Sequence, residues 1–184
     1  MKFLDKIRSN LSKKKYQQIQ PLNGEYRRDF LTLDAAQQVG LIFNLTRLPD
    51  RDFDQIRTFI KHLEDKGKKL VIIELNFLKK SLPLLEGEYS HIFVGLEQLD
   101  WLRYPLEEVI DFVQQLNLDV MLNFDQSNQI TSKYLCRIVN AKTRIGVHEA
   151  GFEDCYELMV EPQSVDELKH LIEMFDGYLS MVRK

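Results

Sequence analysis

Residues 118–147, LDVMLNFDQSNQITSKYLCRIVNAKTRIGV, restrict the possible folds of this chain more than any other stretch. They read as a strand, a polar turn, an amphipathic helix and a second strand. LDVMLNF is a short apolar run with few charges, the pattern of a strand covered on both faces in a parallel sheet. DQSN is a turn, in which Ser127 is expected to cap the following helix by accepting a backbone N–H. Ile130, Tyr134, Leu135 and Ile138 recur at helical spacing before TRIGV opens the next strand. A parallel crossover of this kind is almost always right-handed, so the unit demands an open sheet with a helix laid against it.

The rest of the chain repeats the theme. Residues 39–45 (VGLIFNL) and 69–75 predict two further strands, and residues 91–94 a weaker one. Between the first two, Phe53, Ile56, Phe59, Ile60 and Leu63 mark a helix that Gly67 ends. Residues 76–88 carry Pro83 and Gly87 and predict no regular element. Pro105 is expected in the first turn of a helix whose apolar face is Val109, Ile110, Phe112, Val113 and Leu116. Residues 156–160 predict a last strand. Ser164 and Glu167 form a capping box for a final helix that buries Leu168, Leu171, Ile172, Phe175 and Leu179. The alternation implies an α/β fold: a single open, doubly wound, mostly parallel sheet, Rossmann-like, of five or six strands with helices on both faces. Residues 118–147 belong near its centre. Residues 1–37 read as a basic amphipathic arm and lead-in, and residues 38–184 as one α/β domain.

Charge divides the chain the same way. Residues 1–19 hold six Lys and Arg against Asp5, a charge of +5, which leaves −8 on the rest of a chain whose net charge is −3. An acidic body argues against a nucleic-acid partner. In the arm, Phe3, Leu4, Ile7 and Leu11 share one helical face among the basic residues. The favoured reading is a solvated or loosely packed arm, and the alternative is an interfacial helix that makes weak contact with anionic membranes through residues 1–19. Two cysteines without paired spacing, and no apolar leader, place the expectation in the cytoplasm.

Ligands of parallel sheets bind beyond the carboxyl ends of the strands. The residues there are polar: Asn44 and Thr46, Glu74 and Asn76, Asn123 and Asp125, then His148 and Glu149. These eight are the candidate strand-end cleft. Such groups can hydrogen-bond a ribose or sugar hydroxyl, and they can equally satisfy backbone groups in turns. Neither G-x-G-x-x-G nor G-x-x-x-x-G-K-[ST] occurs, so no cofactor is expected. No HExxH occurs and no metal is expected. Cys155 and His148 are the sole candidates for a Cys–His pair, and Trp101, beside Tyr104 and Pro105, reads as core rather than as a partner anchor.

Residues 119–123 (DVMLN), the helix through Leu135, Cys136 and Arg137, and Arg144-Ile145-Gly146 follow the order of a "DLVIDL" strand, a helix of small and apolar residues and an "RIG" strand. In this the unit resembles the acceptor-side domain of the heptosyltransferase-type glycosyltransferases. As a whole the chain also resembles a family of small uncharacterised α/β proteins with a basic N-terminal arm, for which no activity is implied. The expectation is a non-catalytic ligand- or protein-binding module, with a membrane-peripheral location as its minority form. The alternative is a small enzyme, or enzyme remnant, acting on a sugar or nucleotide as a glycosyltransferase-like half, with His148 as general acid or base.

Overall fold

A computed structural model describes residues 2–18, 31–46, 48–127, 129–161 and 168–181. Six strands form one all-parallel sheet: β1 (Gln38–Asn44), β2 (Lys69–Asn76), β3 (Ser90–Gly95), β4 (Asn117–Asn123), β5 (Asn140–Val147) and β6 (Leu158–Val160). Their order is β3-β2-β1-β4-β5-β6. This is the Rossmann order, and its direction reverses between β1 and β4. Among the described residues five helices flank the sheet: α1 (Lys2–Gln18), α2 (Asp50–Asp65), α3 (Glu107–Gln115), α4 (Ile130–Ile138) and α5 (Leu168–Met181).

Period-two alternation sorts the strand residues between two cores. Leu41 and Phe43 face one side with α2 and α5, where Ile56, Leu63, Leu171 and Phe175 pack on Val120 and Leu122. Phe124 joins that core, stacking on Phe43 at 4.9 Å and meeting Phe175 at 4.8 Å. Ile42, Ile73 and Met121 face the other side, under Tyr16 of α1, Val113 of α3 and Leu135 of α4. The doubly wound sheet with helices on both faces, and the central place of β4, are as the alternation implied.

Four local expectations change. Ser127 does not cap α4: the helix begins at Ile130 behind Gln129, which makes no side-chain cap, and the Ser127 hydroxyl instead meets the Asn44 amide at 3.0 Å. Pro105 lies outside α3, in an antiparallel bridge with Leu99 that fixes the approach to the helix. Trp101 is not core; 66% of it is exposed, because the Asp100 carboxylate ties the turn through the amides of Leu102 and Tyr104 and leaves the indole outside. The basic N-terminal segment, read as loosely packed, is pinned to the body. Tyr16 is 1% exposed, and Arg137 donates to its carbonyl at 3.2 Å. The capping box at Ser164 and Glu167 lies outside the described residues.

Candidate functional site at the strand ends

Where the strand order reverses, the connections after β1 and β4 part and leave a crevice of about 360 Å³. It is lined by Asn44, Thr46, Arg51 and Asp52 from one connection and by Asp125, Gln126 and Ser127 from the other, with Leu48, Phe124 and Leu168 as its apolar contribution. Its floor is rigid. Asn44 Nδ2 donates to Asp125 Oδ1 at 3.1 Å and reaches Ser127 Oγ, while Asn44 Oδ1 accepts from the Thr46 amide. Asp125 Oδ1 also accepts from the Ser127 amide, and Oδ2 takes the Ser132 hydroxyl at 2.6 Å. Asn44 thus ties the two turns together through Asp125 and Ser127, while Thr46 Oγ1 accepts the Phe77 amide at 2.9 Å.

Behind this floor stands Asn123, fully buried. Its Oδ1 accepts from the Asp125 amide and its Nδ2 donates to the Tyr156 hydroxyl at 2.7 Å. Tyr156 can lie there because β5 carries Gly146 beneath it. A Cβ at that position would collide with the tyrosine ring.

Two crevice residues are not spent in this way. Asp52, in the first turn of α2, is 7% exposed, and the nearest cation among the described residues is Arg51 Nε at 3.6 Å, beyond hydrogen-bond reach. Gln126 has a buried Oε1 with no hydrogen-bond partner among the described residues. Buried polar atoms are almost always paired, so Gln126 Oε1 asks for an explanation, whereas the Asp52 side chain is 10% exposed and ion-paired with Arg51. Both are acceptors, and both line the same crevice.

The other predicted residues lie elsewhere. Glu74 is fully buried. Its two oxygens accept the amides of Leu84 (2.9 and 3.0 Å) and Leu85 (3.0 Å), which staples the long β2–β3 connection to the sheet. His91 Nε2 lies 3.2 Å from the same carboxylate without hydrogen-bond alignment. Asn76 is 2% exposed and accepts the Leu78 amide. His148 points outward, with Nδ1 3.3 Å from Glu161. Glu149 pairs at 2.6 Å with Lys133, a nearly buried lysine that also donates to the Ser127 carbonyl.

Of the eight candidates, the structure therefore brings Asn44, Thr46 and Asp125 together, with Asn123 directly behind them. Asp52, Gln126 and Lys133 were missed. Asp52 sat unremarked in the charged run DRDFD, although a carboxylate opening the helix after the first strand of a Rossmann order falls at the reversal point by topology. Lys133 had no signal, since nothing in a helical pattern distinguishes a buried lysine from a solvated one.

Cys155 and His148 do not form a nucleophile pair. Cys155 is buried with Sγ 2.7 Å from the Tyr16 hydroxyl, and burial pushes its thiol up to about 12, so it stays protonated. Among the described residues, no group of three or more His, Cys, Asp or Glu is placed to hold a metal ion. No described helix is long and apolar enough to cross a membrane.

A family model covers residues 8–182, nearly the whole chain. The chain belongs to DUF6913, a family of unknown function. No curated protein and no solved structure matches it. Membership of DUF6913 accords with the small α/β family the whole sequence resembled. The heptosyltransferase resemblance of residues 118–147 is not shown.

Proposed function

We propose that the chain is a ligand-binding α/β module that seats a small hydroxyl-bearing molecule in the crevice between β1 and β4. The observation that supports this is the unpartnered Gln126 Oε1 beside the Asp52 carboxylate, which is ion-paired with the exposed Arg51, above a floor whose own groups are already satisfied. Acceptors of this kind are met by donors, and vicinal hydroxyls of a sugar or nucleoside bring two donors at once. A preorganised floor lowers the ordering cost of binding. The enzyme reading has less support, because the histidine it needs as general acid or base does not line the crevice.

A thermal-shift screen with sugars, nucleosides and sugar nucleotides tests the proposal. A ligand at 100 times its dissociation constant stabilises the fold by about 2.7 kcal/mol, well within detection. The expected result is a shift with one hydroxylated class that Asp52→Asn and Gln126→Leu each abolish. A shift that persists in both variants, or no shift with any polyol, would contradict it.

A further inference from the structure

Among the described residues, the large hydrophobic side chains that the chain exposes are not scattered. Ile7 and Leu11 lie on α1, Leu78, Leu82 and Leu84 in the β2–β3 connection, and Trp101 in the turn after β3; Leu82 is 74% and Trp101 66% exposed. The remaining two, Leu106 and Phe112, follow on the approach to α3 and on that helix. Among the described residues, α2, α5 and the connections after β1, β4 and β5 expose none. In a parallel sheet, connections leaving the C-terminal ends of adjacent strands emerge at the same end, so the β2 and β3 connections are neighbours. α1 is fastened to the second of them. Ser12 Oγ donates to the Leu102 carbonyl at 2.6 Å, Lys15 pairs with Asp100 at 3.2 Å, and the Tyr104 hydroxyl donates to the Ser12 carbonyl at 2.8 Å.

The helix is docked by its less apolar side. Among its described side chains Ser12 and Tyr16 are the buried ones, while Ile7 and Leu11 are exposed and stacked one turn apart. With 3.6 residues per turn the two pairs lie roughly 140° apart around the axis, so the apolar stripe faces away from the body. Basic residues surround the exposed apolar groups. Lys6 and Lys14 are exposed on α1, whose net charge is +5, and Lys79 and Lys80 are exposed beside Leu78. The rest of the protein is acidic.

We infer that this end of the molecule is a docking surface for an anionic lipid bilayer, with α1 lying in the interface, the leucine-rich β2–β3 connection dipping into it and Trp101 at headgroup depth. Charge complementarity selects the occupant. Apolar side chains flanked by lysine are what an anionic interface accommodates, each basic residue strengthening attachment by about fivefold. Tryptophan is enriched at that depth because its ring is apolar and its N–H is polar.

Trp101 is the only tryptophan in the chain, so its fluorescence reports on this surface alone. The full chain is titrated with vesicles of phosphatidylcholine, with and without phosphatidylserine, at low and raised salt. The expected result is a blue shift and co-sedimentation with the anionic vesicles, weakened by salt. Leu82→Asp and Ile7→Glu should each abolish the blue shift. Lys6→Glu combined with Lys14→Glu should weaken binding by roughly 25-fold or more, two basic residues' worth. All four side chains are exposed, and unchanged circular dichroism and melting of the variants confirm that the fold is intact. Three outcomes would overturn the inference: no blue shift, equal response to neutral and anionic vesicles, or indifference to the substitutions. A blue shift that grows with protein concentration in the absence of lipid would also overturn it, assigning the surface to protein contact instead.

Discussion

The C-terminal ends of β2 and of the β1–β4 pair carry the same kinds of residue and use them in opposite ways. At β2, Glu74 and Asn76 turn inward. The Glu74 carboxylate is buried and filled by backbone amides of residues ten and eleven positions away. At β1 and β4, Asn44 and Asp125 bind each other across the gap and leave Asp52 and Gln126 with acceptor capacity facing a crevice. The difference follows from connectivity. The thirteen-residue passage from β2 to β3 contains no helix to organise it, so it needs a buried charge to gather its amides. The turns after β1 and β4 lead directly into α2 and α4, which fold back over opposite faces and pull the two turns apart. A polar strand end beside an unstructured connection is therefore a structural clamp, and one beside a topological reversal is an open site.

The comparison breaks most easily at Glu74. Glu74→Ala removes the acceptor of three hydrogen bonds and leaves the part-buried Leu84 amide and the buried Leu85 amide without a partner. The expected loss in denaturant-measured stability is about 3–5 kcal/mol, with no specific effect on ligand binding beyond that loss. A loss below about 1 kcal/mol would mean that the connection does not depend on the carboxylate.

Asn123→Ala is the intermediate case, because Asn123 is a buried clamp that supports the crevice. It leaves the Tyr156 hydroxyl and the Asp125 amide unpaired and should cost about 2–3 kcal/mol. Gly146→Ala should reproduce part of this by displacing the tyrosine ring, and the double variant should lose less than the sum of the two singles.

Asp52→Asn sharpens the contrast from the other side. A carboxylate paired only with the exposed Arg51 adds little to the fold, so equilibrium stability should stay within about 0.5 kcal/mol of the parent while ligand response disappears.

The smallest effect is expected at the opposite end of the sheet. Asp119 is held at about 2 by its hydrogen bond to Lys142, aided by the amides of Gln37 and Gln38. A lowered carboxylate value contributes stability that is fully present above its ordinary value of 3.8 and is lost as pH falls through about 2. Asp119→Asn should therefore cost about 1 kcal/mol or less at neutral pH and flatten the acid limb of a stability–pH curve in that window. An unchanged acid limb would show that Asp119 has the same affinity for protons folded and unfolded.

The fold was legible because apolar runs and helical spacing are local. VGLIFNL and LDVMLNF announce buried strands wherever they occur, and the helix of residues 50–65 announces its buried face through Ile56, Phe59, Ile60 and Leu63. Strand order is not local, and only the order distinguishes Asn44 and Asp125 from Glu74 and Asn76. Before the sheet is assembled the four are equivalent polar residues at strand ends. Trp101 was misplaced for a related reason: a large ring predicts burial on average, whereas here two hydrogen bonds to the Asp100 carboxylate set the turn and hold the indole outward. The docking of α1 was hidden because it proceeds through Ser12, Tyr16 and Lys15 rather than through the apolar stripe that periodicity detects.

The central claim is that the β1–β4 reversal is a ligand site and the β2 end is not, and amide chemical shifts test it most directly. In a titration with the hydroxylated ligand that gives a thermal shift, the amides of Thr46, Asp52, Asp125 and Ser127 should move together and saturate with one dissociation constant. Those of Leu84 and Leu85 should stay in place. Shifts confined to Leu84, Leu85 and their neighbours, or absent from the four crevice amides at saturation, would contradict the account.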